Sequence, residues 1–296
     1  MLKYVLKRIL SALVTIFFII TITFFLMKAI PGNPFAAEKM PNPEIEAAMM
    51  AKYGLDQPLW KQYIIYLGNF LRGDFGVSYT KAGLTVNKVI ADGFPFSLTI
   101  GIYASLVVVF ALRQNKLIDR FFMVLSTLGS TIPSFVLATG FLFLFSKTLG
   151  LVPAFGVDEV AGYIGPVLVI GAFPLSFITR LTRTSLVEVQ QQDYIRTARS
   201  KGISEFKVIY KHALRNALLP VVTYIGPMVA SIVTGSFVIE TVFGIPGVGQ
   251  LFTDSIVNRD YPLIMGITVF FAVLLVLAVL IVDLVYVLID PRIKLD

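Results

Sequence analysis

Residues 180–220 read RLTRTSLVEVQQQDYIRTARSKGISEFKVIYKHALRNALLP. The stretch carries eight Lys/Arg against three acids, Glu188, Asp193 and Glu205, a net charge of +5. Strongly apolar segments flank it on both sides, and a basic segment between membrane spans belongs on the cytoplasmic face. Its punctuation is helical. Asp193 is placed to cap a short helix over 194–201, which Gly202 ends at the usual C-terminal position. Tyr194, Ile195, Ala198 and Gly202 fall on one side of that helix. Arg199 and Lys201 occupy its last turn, where cations suit the helix dipole. Ser204 then caps a second helix, with Glu205 in its first turn and Phe206, Ile209, Ala213 and Ala217 on one face. Any positive-inside loop that contains helices accounts for the charge. A docking helix for a cytoplasmic partner is the specific alternative, and the rest of the chain has to decide.

The chain has 296 residues, 56% of them hydrophobic and 15% charged, with a mean hydropathy of +0.82. Soluble domains are about 25% charged, so the composition describes a polytopic membrane protein. The first apolar run, residues 9–30, is long enough to span, and no small-residue cleavage site follows it. There is no cysteine, which removes disulfides, thiolate nucleophiles and cysteine-ligated metals. The isoelectric point near 9.5 does not point to nucleic acid, because the basic residues cluster at span ends.

Outward from the basic stretch, six spans are expected: residues 9–30, 97–112, 121–146, 164–179, 218–239 and 263–288. Lys3, Lys7 and Arg8 fix the N-terminus inside. Residues 31–96 form an outer segment of zero net charge, with helices starting at Asn42-Pro43 and at Asp56-Pro58, the latter ending near Gly73. Trp60, Tyr63, Tyr66 and Phe70 give that latter helix an aromatic face. The second span is short: sixteen residues reach about 24 Å against a hydrocarbon core of about 30 Å. Small and hydroxyl residues and Pro133 interrupt the third span. Ser130 and Ser134 there, with Ser231 and Thr234 in the fifth, are candidates for a polar path, although helix packing explains them equally well. Residues 240–262 read as a glycine-rich outer segment whose glycines suit a re-entrant or tightly folded loop. Summed, the inner segments carry +10 and the outer ones −2, an asymmetry that puts both termini on the cytoplasmic side.

No Gly-Lys-Ser/Thr occurs, so the chain lacks a phosphate-binding loop and is not expected to hydrolyse ATP. The one histidine, His212, sits in the basic stretch and reads as a helix-surface residue. Asp283 is the one deep acid, toward the inner end of its span, placed to pair with an Arg or cap a neighbouring helix rather than relay protons. A solute path without its own energy coupling needs an external motor, which favours docking.

These residues also carry a resemblance. LKRILSALVTIFFIITITFFLMKAIPGNP, YGLDQPLWKQY, RLTRTSLVEVQQQDYIRTARSKG, KHALRNALLPVVTYIGP, GSFVIETVFGIPGVGQL, RDYPLIMG and VDLVYVLIDPRIK occur in order along nearly the whole chain. In these the chain resembles the inner-membrane permeases of binding-protein-dependent ABC importers, most closely the B-type permease of oligopeptide/dipeptide systems. The resemblance implies an all-α, six-helix type I importer permease of the bacterial cytoplasmic membrane. Its parts would be an N-terminal span (1–30), an outer helical segment (31–96) and a permease core (97–296) with a coupling loop at 180–217. Implied partners are a second related permease, two cytoplasmic ATPases carrying the ATP and Mg, and an extracytoplasmic peptide-binding protein. No cofactor, metal or catalytic residue is implied for this chain.

Such permeases dock on the ATPase through a coupling helix marked by Glu-Ala-Ala and a following glycine. Here Gly202 is that glycine and Ala198 the second alanine; Arg196 and Thr197 stand where Glu and the first Ala are usual, and Leu214-Arg215 where Leu-Pro is usual. The peptide-permease form, DYIRTARSKG, is intact. The implied docking element is Asp193, Tyr194, Ile195, Arg196, Thr197, Ala198, Arg199, Ser200, Lys201 and Gly202. Tyr194, Ile195 and Ala198 are expected as the face buried on the partner, with Arg196, Arg199 and Lys201 as its charged rim. The resemblance also implies about a dozen further apolar residues between Ser105 and Arg113, enough for the usual spanning length. Importers of nickel, glutathione or opine-like solutes have similar permeases. A stand-alone channel or secondary transporter is the alternative of a different class.

Overall fold

In hydrocarbon, every backbone polar group must be satisfied within its own segment, so the long apolar stretches of this chain become helices. The computed structural model describes residues 2–30, 50–51, 54–81, 83–111, 131–233 and 235–289. In chain order, α1 is Leu2–Ala29, α2 Leu59–Leu71 and α3 Val86–Ala111. α4, Ser134–Phe141, runs on as a π-helical stretch, Leu142–Thr148. α5 is Ile164–Gln190 and α6 is Asp193–Ser200. α7 is composite: Glu205–Lys207, a π-helical stretch Val208–Ala213, then Leu214–Ala217. α8 is Leu219–Val233, α9 Phe237–Val242, α10 Val248–Val257 and α11 Tyr261–Ile289. Among the described residues the only strand pairing is an isolated antiparallel bridge, Val77 to Thr85.

Among the described residues, five stretches are long and apolar enough to cross a bilayer: Val5–Ala29, Val86–Val108, Val160–Gln190, Leu219–Val242 and Tyr261–Leu284. Ser134–Thr148 is apolar but shorter, and the first part of the expected third span lies outside the described residues.

Three expectations are corrected. The second span does not begin at Ser97. α3 starts at Val86, where Thr85 Oγ1 accepts the Lys88 N–H at 3.3 Å, and its 26 residues reach about 39 Å. Its first turns carry Lys88 and Asp92, which masked the helix in a reading by apolar run length, and Pro95 is accommodated within it. The fourth helix likewise continues past Thr179 to Gln190, into the stretch read as loop. Residues 240–262 are mainly helical, comprising the end of α9, α10 and the start of α11.

The chain forms two compact units, Met1–Phe96 with Pro246–Asp296, and Ser97–Ile245. In the first, Val86, Val89, Ile90, Val248, Leu263, Ile267 and Phe271 form one core. Phe24, Met27, Ile264 and Met265 form another, against which Tyr63 and Tyr66 pack. The Phe24 ring lies 5.4 Å from that of Tyr63 and 5.5 Å from that of Tyr66. Thr21 Oγ1 and Tyr63 OH are hydrogen-bonded at 2.8 Å. The aromatic face expected on α2 is therefore divided, with Tyr63 and Tyr66 turned onto α1 and Trp60 exposed. Asp283 pairs with Arg8 at 3.1 Å, the arginine partner expected of it.

Asp260 closes this unit. It is fully buried, and its carboxylate accepts from Ser78 Oγ, Tyr79 N (3.1 Å), Thr80 N (3.4 Å), Thr80 Oγ1 (2.8 Å) and, at the head of α11, Leu263 N (3.4 Å). Hydrogen bonds to a charged group contribute about 1.5–3 kcal/mol each, and orphaned buried donors add cost. Asp260→Ala is expected to destabilise this unit by about 3–5 kcal/mol. Thermal unfolding of the purified protein checks this; a melting temperature within a degree of the parent contradicts it.

In the second unit Gly101 lets α3 and α8 meet. A Cβ there would stand 2.7 Å from Val233 Cα and 2.9 Å from the Ile232 carbonyl oxygen, so a side chain would force the helices apart. α4 opens after a break at Ile132-Pro133. There Thr131, Ile132, Pro133, Ser134 and Leu137 line a cavity of about 370 Å³ with Val169 and Phe173 of α5.

Candidate functional site

The helix of the basic stretch forms where the sequence places it, with one shift. α6 begins at Asp193, and its cap is Gln192, whose backbone is extended (φ −69°, ψ 147°) and whose side chain makes no capping bond. The Gln192 carbonyl accepts from Ile195 N and Arg196 N at 3.0 and 3.2 Å. Asp193 is thus not the cap but the first helical residue. Its charge still complements the helix N-terminus, while its exposed carboxylate lies 3.8 Å from Arg196.

The other end is as read. Gly202 has φ +74°. Its N–H reaches the Arg199 carbonyl at 3.0 Å, and the Ile203 N–H reaches that of Ala198 at 3.3 Å. This pair of bonds is the Schellman arrangement, and Ile203 packs beside Ala198 as its apolar contact.

α7 starts after Ser204, whose side chain makes no cap bond. Its buried residues are Val208, Ala213 and Ala217, not the expected series from Phe206 and Ile209. The π-helical turn is the cause: with i→i+5 bonding, residues five apart align and the face is rotated. Phe206 is left 67% exposed.

The inner face of α6 is spent within the chain. Ile195 (0% exposed) and Ala198 (8%) join Val208 and Ala213 in one cluster, packed by Leu186, Val189 and Ile203. The expectation that Ile195 and Ala198 face a partner is corrected: their apolar surface pins α6 to α5 and α7. Polar ties add to this. Asn216 Nδ2 donates to Tyr194 OH at 2.7 Å. Arg199 Nη2 and Nε donate to the two Glu205 carboxylate oxygens at 2.6 and 3.2 Å across the glycine turn. Arg199 holds the Glu205 carboxyl below the usual carboxylate range, chiefly through this hydrogen bond. The bridge therefore contributes at every pH above that range and is lost only as the pH falls through it.

Exposed on the outer side are Asp193, Tyr194, Arg196, Thr197, Ser200 and Lys201. Thr197 Oγ1 and Ser200 Oγ bond only back along the helix, to the Asp193 and Arg196 carbonyls at 2.9 and 3.1 Å.

Of the path candidates, Ser134 lines the cavity at the head of α4. Ser231 is exposed on α8 and is not among the residues lining that cavity. Ser130 and Thr234 lie outside the described residues. Sequence reasoning missed Glu240, which is 1% exposed in α9. Its Oε1 accepts the Ser236 N–H at 3.3 Å, while Ser236 Oγ accepts the Ile239 N–H at 3.4 Å. The glutamate stands four residues after the serine, one more than the capping-box spacing, so that pattern did not mark it.

The geometry defines a polytopic α-helical membrane protein that holds a rigid helix–turn–helix at the end of an apolar helix. The chain belongs to the family described as "Binding-protein-dependent transport system inner membrane component", whose model matches residues 97–295. A second model, "Binding-prot-dependent transport system membrane comp, N-term", matches residues 1–101. The chain is 47% identical to the dipeptide transport system permease protein DppB of Bacillus subtilis (strain 168), over 304 residues covering 100% of this chain and 99% of that protein. It is 44% identical to the oligopeptide transport system permease protein OppB of Haemophilus influenzae over 305 residues, covering 99% and 100% respectively. With the DppB protein of Lactococcus lactis subsp. cremoris the identity is 41% over 304 residues, 100% of both. These alignments are longer than the 296 residues of this chain, which therefore carries gaps opposite its relatives. The fold is that of a type I importer permease, and the protein is a multi-pass component of the cytoplasmic membrane.

Proposed function

We propose that this chain is the permease subunit of an ATP-driven, binding-protein-dependent importer of dipeptides or oligopeptides, forming half of the translocation path. Its partners are a second related permease, an extracytoplasmic peptide-binding protein and two cytoplasmic ATPase subunits that hold and hydrolyse the ATP with Mg. The peptide substrate is supported by the transport systems for which the three relatives are named. The absence of a Gly-Lys-Ser/Thr phosphate loop supports hydrolysis on partner subunits.

One observation carries the mechanism: α6 is fixed to its own chain on one side and bare on the other. Docked through Asp193, Tyr194, Arg196, Thr197, Ser200 and Lys201 on an ATPase, it acts as a lever. A push from ATP-driven closure passes through Ile195 and Ala198 into α5 and α7, and α7 leads into α8. Rigid elements packed in this way transmit displacement and alternate access between the two membrane sides. The cavity lined by Ser134, Val169 and Phe173 borders α5, one of the moving elements, which supports placing the path there.

Two measurements test this reading. Reconstituted with co-purifying subunits and the binding protein, the chain is expected to take up peptide only with ATP. Peptide flux through the chain alone, without ATP, overturns the proposal in favour of a stand-alone channel or secondary transporter. Arg196→Glu reverses a charge on the bare face and disturbs only an exposed pair, worth under about 1 kcal/mol to the fold. It is expected to weaken ATPase binding about tenfold, and unchanged binding places the docking surface elsewhere.

A further inference from the structure

Phe206 and Tyr210 form an aromatic pair that the fold does not use. They stand one turn apart on α7, ring centroids 4.4 Å apart and planes 33° from parallel. Phe206 is 67% exposed and Tyr210 44%. Lys207 and Lys211 beside them are also exposed. In a membrane protein such a pair with lysines first suggests the headgroup layer, but its level along the molecule argues against lipid. The apolar part of α5 ends where Arg180 and Arg183 begin. Leu186 and Val189 follow about six and nine residues later, roughly 9–14 Å further along the axis. They pack in the same cluster as Val208, and Phe206 precedes Val208 on the side of α7 nearer α6. A headgroup layer adds only about 5–8 Å beyond the hydrocarbon, and a usual tilt of about 20° shortens the axial distance little. Phe206 therefore stands at the level of α6, and Tyr210 one turn nearer the membrane. It is also continuous with α6: Phe206 directly follows Glu205, which Arg199 holds across the glycine turn.

Resting on the reading of α6 as the ATPase-docking helix, we propose that Phe206 and Tyr210 are a second anchor on the same ATPase subunit. They would fill an apolar recess on it, with Lys207 and Lys211 meeting an acidic rim. Aromatic side chains inserted in desolvated pockets dominate interface energetics while the surrounding charges contribute little. The charged outer side of α6 thus supplies orientation, and the aromatic pair supplies most of the hold.

The test uses the full complex in lipid nanodiscs. Phe206→Ser with Tyr210→Ser is expected to raise the dissociation constant for the ATPase subunits at least thirtyfold, more than Arg196→Glu does. Unchanged binding in the double variant overturns the second anchor; if Arg196→Glu still weakens binding, docking through α6 stands. A Phe206→Trp reporter in a Trp60→Phe background gives an independent readout. Its emission is expected to shift to the blue when ATPase subunits are added and to resist quenching by brominated lipids. Strong quenching by those lipids overturns the proposal and makes the pair a membrane anchor. Each single serine variant, expected to have an intermediate effect, keeps the test valid should the double variant fold poorly.

Discussion

Gly202→Val is expected to uncouple the transporter, with uptake falling at least tenfold while the protein remains in the membrane. Gly202 holds φ +74°, a region that costs an ordinary L-residue about 1–2 kcal/mol and a β-branched one more. The cost is conformational rather than steric, because a Cβ at this position meets nothing within 4 Å. Valine would therefore open the turn instead of colliding with a neighbour. Opening it breaks the bonds from Gly202 and Ile203 to the last carbonyls of α6 and separates Arg199 from Glu205. About 2 kcal/mol raises the population of the opened form roughly thirtyfold, and a lever with a frayed end no longer transmits the stroke. ATP hydrolysis by the partner subunits should continue, so hydrolysis per transported peptide rises. Gly202→Asn is the control, since asparagine tolerates the left-handed region and should retain most uptake. Normal coupling in the valine variant would exclude α6 as a rigid lever.

The second large effect is expected at Ile195. Fully buried between α5 and α7, it should cost about 2–4 kcal/mol when cut to alanine, and Ile195→Val about 1 kcal/mol. Ile195→Asp buries an unpaired charge and should release α6 altogether. The readout is cleavage by trypsin after Arg199 and Lys201 in the isolated chain. When opening is fast, cleavage follows the open population, so Ile195→Ala is expected to raise the rate about a hundredfold. If Ile195 faced a partner and not its own chain, the isolated protein would show no change. The result therefore separates a helix held from within from one held only by the complex.

Much of the fold was legible because the bilayer imposes it. Apolar runs predicted helices at α1, α5, α8 and α11, and Gly73 and Gly202 were read as helix ends, each with positive φ in the structure. Run length failed where polar residues share a helix with apolar ones. Lys88 and Asp92 concealed the first turns of α3, and Glu240 ended the expected fifth span halfway through α9. Periodicity failed at α7, because the π-helical turn over Val208–Ala213 shifts the phase by one residue and leaves no local mark.

The same distinction applies to the candidate site. Sequence alone was enough to expect a short helix over 194–201, ended by Gly202, within the most basic stretch of the chain. Those are consequences of local backbone preference and charge, which act over a few residues. Which side of that helix is bare was decided only by the tertiary structure. Ile195 and Ala198 are apolar on any reading, and apolar surface is buried equally well by the chain itself or by a partner. The packing of Leu186, Val189, Val208 and Ala213 against them resolves the choice. It buries the inner face within the permease and leaves the outer one, with Phe206 and Tyr210 beside it, exposed.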